Sequence, residues 1–262
     1  MNKPICLFDS GIGGLTVLKK LINRFPNENY IYLADLARVP FGDKTKDEVK
    51  IIVDEIIEWL LKFDPKIMIM ACNTSSALFF EEYKNKLQIP VHGTIISCAK
   101  EIADSNYSKV SIWATKLVTE SQMYTRTIQG INPGITVQEI ACQKLVPMIE
   151  DLSFNQTDKD SIILEYLDKT PRDSEAIVLG CTHYPHLHNN LLRLTDQRIL
   201  DPADSLIKEL ENNIQENNSS FKNQVSLYTT AQVEKIEKFS RLYLCGNYKT
   251  GLISLNKSKA TV

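Results

Sequence analysis

Apolar residues in this chain come in short runs, separated by longer stretches in which they recur every three or four positions. Pro4–Phe8, Tyr30–Ala34 and Lys66–Ala71 read as strands, and so do Val110–Ala114, Thr136–Ile140 and Ala176–Leu179. Between them, 13–25 and 74–87 read as helices. So does 46–63, where Val49, Ile52, Val53, Ile56, Ile57, Leu60 and Leu61 share one helical face. Strands alternating with helices in this way predict an α/β fold with mainly parallel sheets flanked by helices. In such folds ligands bind beyond the carboxyl ends of the strands.

The run Ile89-Pro90-Val91-His92-Gly93 marks a place where the chain can pass into a second domain, and Asp201-Pro202-Ala203-Asp204 a place where it can return. Residues from Glu211 to Asn223 read as a surface helix followed by a loop. One internal echo stands out. Ile67-Met-Ile-Met-Ala-Cys72-Asn73-Thr74 and Ala176-Ile-Val-Leu-Gly-Cys181-Thr182-His183 are both apolar strands that end in a small residue and then a cysteine with polar neighbours. The echo suggests two related halves, each presenting a thiol at a strand end; two α/β units that resemble each other by chance are the plainer reading.

With 262 residues and 43% hydrophobic content, the chain can build a sizeable core, and its length suits two small domains. A formal net charge of −2 and the lack of a basic cluster argue against a nucleic-acid partner. No apolar stretch has the length of a membrane span or signal peptide, so the expected location is the cytoplasm. The six cysteines are scattered and form no CxxC pair, which in a reducing compartment predicts free thiols.

A cysteine just past a strand, at a helix N-terminus, sits where the helix dipole and unpaired N–H groups favour the thiolate. Asn73, Thr74 and Thr182 set short hydrogen-bonding groups beside Cys72 and Cys181, which separates these two from Cys6, Cys98, Cys142 and Cys245, read as buried and inert. Asp9-Ser10-Gly11-Ile12-Gly13-Gly14 follows the first strand, but Thr16 stands where a dinucleotide loop needs its third glycine. The glycines still allow close approach of a ligand. Asp9 either orients a base or receives an amino group, or else caps the next helix. Three of the four histidines fall in Cys181-Thr182-His183-Tyr184-Pro185-His186-Leu187-His188. Zinc ligation lacks a second Cys/His cluster, so no metal is expected. His183 is the histidine placed to tune Cys181, and His186 and His188 read as surface or packing residues. A Cys–His hydrolase would leave one thiol idle. Two matched thiols on one pocket suit a symmetric reaction, in which one takes a proton from carbon and the other returns one from the opposite face.

At these residues the chain resembles the glutamate racemases of the aspartate/glutamate racemase superfamily. The matching segments are Phe8–Val17, Ala34-Asp35 with Pro40-Phe41-Gly42, Ala71–Ala77, Val146–Glu150 and Gly180–Pro185. The resemblance implies two pseudo-symmetric α/β domains with the active site in the cleft between them. One is built from 1–92 plus 206–262, and the other from 93–205. It implies interconversion of L- and D-glutamate without cofactor or metal, supplying D-glutamate for peptidoglycan, and a homodimer. Cys72 and Cys181 match the catalytic thiols, and Asp9 and His183 the groups that assist them. Asp9, Ser10, Phe41, Gly42, Asn73, Thr74, Thr182 and His183 match positions that hold the substrate. The alternatives are a racemase for aspartate or another amino acid, or a non-catalytic amino-acid-binding member of the fold. Besides His92-Gly93-Thr94-Ile95-Ile96-Ser97, which lacks the expected proline, two positions depart from the family pattern. Phe41 replaces a tyrosine, and Val118 replaces the second threonine of a Gly-Thr-x-x-Thr-x-x-Ser segment, leaving Thr115 or Thr119 to supply its hydrogen bond.

Overall fold

The computed structural model describes residues 3–151, 153–214 and 224–255. Its elements run β1 (Ile5–Asp9), α1 (Gly14–Arg24), β2 (Tyr30–Ala34), α2 (Lys46–Leu61), β3 (Ile67–Met70), α3 (Asn73–Lys86), β4 (Val91–Gly93) and α4 (Thr94–Ala103). There follow β5 (Lys109–Ala114), α5 (Lys116–Ser121), α6 (Met123–Ile131), β6 (Thr136–Ala141), α7 (Leu145–Glu150), α8 (Gln156–Leu167) and β7 (Ala176–Gly180). The rest are α9 (His188–Leu194), β8 (Arg198–Leu200), α10 (Pro202–Glu211), β9 (Val225–Thr229), α11 (Val233–Tyr243) and β10 (Tyr248–Leu252). Short 3-10 turns occupy Phe41–Asp43 and Tyr184–Leu187.

The strands form two sheets, a six-stranded one in the order β10-β9-β2-β1-β3-β4 and a four-stranded one in the order β6-β5-β7-β8. Every described ladder is parallel. The protein is thus an α/β molecule with two domains, each built on one parallel sheet flanked by helices, and the larger sheet draws on both ends of the chain. Every residue of β1, β2, β3 and β7 is buried, because helices cover both faces of the sheet there. That is why these strands read as unbroken apolar runs instead of alternating ones.

The predicted strands and helices are found within a few residues of their expected bounds. Ile89–Gly93 does not simply connect two units: Val91–Gly93 is β4, the edge strand beside β3. Asp201 opens α10 as its N-cap, accepting from the Ala203 N–H, with Pro202 in the first turn. The helix expected from Glu211 ends there instead, and 215–223 lie outside the described residues. Helix α2 begins with a reciprocal box, in which the Thr45 hydroxyl accepts from Glu48 N–H and the Glu48 carboxylate from Thr45 N–H.

Four strands were not anticipated: β4 and β8, of three residues each, and β9 and β10. The last two extend the larger sheet beyond β2, and Val225, Leu227, Ile236, Phe239 and Leu244 complete one of its cores. Burial of side chains of this size stabilises by roughly 1.5–3 kcal/mol each. Their loss is thus comparable with the whole ~5–15 kcal/mol stability of a typical domain. A chain ending at residue 214 is therefore expected to lose its cooperative thermal transition, followed by near-UV circular dichroism. A truncated chain that melts like the full one would show that the C-terminal strands add nothing to the core.

Candidate active site

Three loops at strand carboxyl ends converge on one cavity. β1 ends at Asp9 and leads into Ser10-Gly11, after β3 comes Ala71-Cys72, and after β7 come Cys181-Thr182-His183. The cavity between them is small, about 20 Å³. Its wall contains Ser10, Phe41, Gly42, Cys72, Asn73 and Thr74 from the larger-sheet side, and Thr115, Cys181, Thr182 and His183 from the other. Every residue matched to a catalytic or substrate-holding position is in this wall except Asp9, which is fully buried; of the four cysteines expected to be buried and inert, Cys245 is instead exposed.

Asp9 does not cap the following helix, whose N-cap is Gly13. Instead its carboxylate accepts from the Gly11 N–H at 2.8 Å and, across the cleft, from the Thr182 hydroxyl at 2.8 Å. Burial raises the Asp9 pKa, and His183, with the hydrogen bonds from Gly11, Thr182 and Ser10, pulls it back. The glycine-rich loop has a purpose other than ligand contact. A Cβ on Gly13 would lie 2.5 Å from Thr182 Oγ1 and 2.8 Å from His183 Nδ1. The close approach that these glycines permit is that of the opposite domain's loop.

The two thiols sit in different surroundings. Cys72 is the N-cap of α3, and its Sγ lies 3.7 Å from the Ser10 hydroxyl. Helix position does not prevail here. Burial pushes the Cys72 pKa up to about 12, with the Asp9 carboxylate adding to the rise. Cys181 is followed by no helix, only by the 3-10 turn from Tyr184, so the helix-dipole argument does not extend to it. Its neighbour is His183, whose Nδ1 is 3.8 Å from Sγ. The far nitrogen of that ring, Nε2, meets Glu150 Oε1 at 2.9 Å. Burial opposes the imidazolium, but hydrogen bonds to Cys181 and Glu150 and their charges raise its pKa to about 10. One thiol thus faces a carboxylate and the other a protonatable ring.

The remaining wall is positioned locally. Buried Asp35 accepts from Arg38 Nε at 2.7 Å and from the Thr230 hydroxyl at 2.6 Å, and Arg38 reaches on to Glu55 at 2.5 Å. This anchors the loop that carries Phe41 and Gly42; a Cβ on Gly42 would meet Thr115 at 2.8 Å. Asn73 Oδ1 accepts from Thr94 at 3.3 Å and from Tyr124 at 3.1 Å, so its amide N–H₂ is not taken up by those two partners. Thr74 and Thr115 hydroxyls meet across the cleft at 3.1 Å.

Val118 is fully buried in an apolar core with Ala77 and Tyr124. Thr119 gives its hydroxyl to the Lys116 carbonyl, and Thr115 is the residue of that segment that lines the cavity. His188 is exposed, and His186 packs edge-on against Tyr243, with its ring centroid at 5.0 Å. Among the described residues, no group of three or more His, Cys, Asp or Glu side chains is placed to hold a metal ion.

Two contacting residues carried no assigned role in the sequence reading. Glu150 stood in a matching segment, yet only the fold brings it to His183. Lys235, on α11, donates to Glu150 Oε2 at 2.8 Å and had no sequence signal at all.

The cavity thus lies between two parallel α/β domains, with one thiol contributed from each side. The chain belongs to the Asp/Glu/hydantoin racemase family, whose model matches residues 14–210. Its similarity to glutamate racemases covers nearly the whole chain. Glutamate racemase 3 of Caldanaerobacter subterraneus subsp. tengcongensis is 33% identical over 97% of this chain and 96% of its own. The glutamate racemase of Prochlorococcus marinus is 36% identical over 97% of each. The crystal structure of a glutamate racemase from Francisella tularensis in complex with D-glutamate superimposes with a TM-score of 0.88 at 29% identity, covering 97% of this chain and 98% of that one.

Glu150 gives the site a pH signature. Burial raises its pKa, but His183 and Lys235 outweigh that and hold it at about 2. A carboxylate held below its unfolded value contributes stability that is complete above the ordinary 4.5 and is lost as pH falls toward about 2. Glu150→Gln is therefore expected to be less stable than wild type near pH 6, with the difference in urea midpoint shrinking on acidification through that window. A difference that stays constant or widens would contradict this assignment.

Proposed function

We propose that the chain interconverts L- and D-glutamate by proton transfer between two thiols, Cys72 and Cys181, on opposite sides of the substrate α-carbon. The observation that carries this reading is that both thiols line one cavity, at the ends of matching strands from the two sheets. A single-nucleophile hydrolase has no use for the second. Family membership and the glutamate racemases among its relatives give the substrate.

In one direction the Cys181 thiolate, beside the imidazolium of His183, removes the α-proton while the Cys72 thiol delivers a proton to the other face. Buried Cys72 is suited to holding its proton until then. In reverse the roles exchange, with Asp9 acting on Cys72 through the Ser10 hydroxyl. Hydrogen-bonding groups of Ser10, Asn73, Thr74, Thr115 and Thr182, and the backbone at Phe41 and Gly42, hold the carboxylates and ammonium group. Thr182 spends its proton on Asp9 and so faces the cavity as an acceptor. Loss of the phenolic hydroxyl at Phe41 matters little if the contact there is made by the backbone.

The domain limits, 1–92 plus 206–262 and 93–205, belong to the same reading. They are supported by sheet membership, with the junctions falling within β4 and α10. The reading also places the enzyme in the cytoplasm as a homodimer supplying D-glutamate to peptidoglycan. No described helix is long and apolar enough to cross a membrane.

Cys72→Ser and Cys181→Ser should each lower kcat/KM for both enantiomers by a factor on the order of 10² to 10⁴, the usual loss with a catalytic acid or base. Circular dichroism follows the decay of optical rotation, and aspartate in the same assay checks substrate class. A variant that keeps wild-type kcat/KM would remove that thiol from the mechanism. Faster turnover of aspartate than of glutamate would move the chain to a related racemase.

A further inference from the structure

Glu150 is held from two sides. Its Oε1 faces His183 Nε2 at 2.9 Å, and its Oε2 faces Lys235 Nζ at 2.8 Å. The two contacts occupy both carboxylate oxygens and leave the group one orientation. Lys235 belongs to α11, in the other domain from α7 and His183. It does not line the cavity, and it is partly covered, with 24% of its side chain exposed. Its neighbour Ile236 is fully buried in the core of the larger sheet and Phe239 nearly so, so the lysine projects from a fixed helix. The same helix makes a second crossing near its other end, where the Tyr243 hydroxyl bonds to His186 Nδ1. His186 lies on the 3-10 turn that follows Cys181. Helix α11 therefore holds the Cys181 loop directly through Tyr243 and indirectly through Lys235, by way of Glu150 on α7.

We propose that Lys235 is a positioning residue for Cys181, fixing Glu150 so that Glu150 in turn fixes the His183 ring against the sulfur. The inference rests on the two-thiol reading and extends it to the C-terminal helix. A carboxylate that orients a catalytic imidazole is effective only when its own geometry is held. Lys235 supplies that restraint from the opposite domain. The Lys235–Glu150 pair thereby ties the larger-sheet domain to the alignment of one of the two acid–base groups.

The test uses the full chain with Lys235→Met and Lys235→Arg, assayed on both glutamate enantiomers. Lys235→Met should lower kcat about tenfold, in the range seen when groups supporting an active-site side chain are removed. KM should change by less than about twofold, because no substrate contact is lost. Lys235→Arg, which keeps the cation, should recover most of kcat. In parallel, iodoacetamide labelling of the substrate-free proteins is mapped by mass spectrometry. Lys235→Met should alter the Cys181-to-Cys72 labelling ratio by at least about threefold, since thiol reactivity follows local electrostatics. An unchanged ratio, or a fall in kcat matched by a rise in KM, overturns the inference. The labelling arm needs no turnover. A wild type inactive on glutamate overturns the functional reading, and an unchanged ratio overturns the role of Lys235.

Discussion

The Thr182 hydroxyl donates across the cleft to the buried carboxylate of Asp9, and the rest of the site is arranged around that contact. Asp9 is fully buried. A carboxylate removed from water stays ionised only if donors surround it, and one of its donors belongs to the other domain. The same approach brings Thr182 and His183 so close to Gly13 that a side chain there would collide with them. The two domains thus meet through a hydrogen bond with little tolerance on either side. That closeness sets Cys72 and Cys181 in the wall of a single small cavity.

The site's chemistry follows from unequal surroundings at two similar positions. Both thiols end buried strands, as the repeated sequence pattern suggested, but the charges beside them differ. Cys72 has Asp9 within electrostatic reach and is held as a thiol. Cys181 has the ring of His183, itself backed by Glu150 and Lys235. A racemase must accept both enantiomers, so neither thiol can be frozen in one protonation state. In the proposed reaction the states would exchange through the polar partners of each, Ser10 and Asp9 on one side and the His183 chain on the other.

Much of this was legible in the sequence, and the failures have physical causes. Strands covered by helices on both faces, such as β1 and β7, appear as continuous apolar runs and were found. Val-Ser-Leu-Tyr-Thr and Tyr-Lys-Thr-Gly-Leu, which become β9 and β10, carry polar residues because much of their surface is only partly covered. They gave no such signal. The catalytic-site candidates were readable because Cys72 and Cys181 lie in local motifs. Glu150 and Lys235 are 33 and 52 positions from His183; a lysine on an amphipathic helix looks like any solvated charge until the fold shows its partner. The glycines of the Asp9 loop point to close approach of a ligand, whereas the group that approaches Gly13 is the opposite loop.

The central claim is that two thiols act from opposite faces of one carbon. It is tested most directly by running the reaction in deuterium oxide and stopping it early. If Cys72 and Cys181 divide the work, newly formed enantiomer carries deuterium at Cα while recovered substrate carries almost none, in both directions. Deuterium appearing equally in recovered substrate and product would mean that one group removes and returns the proton, and would contradict the account.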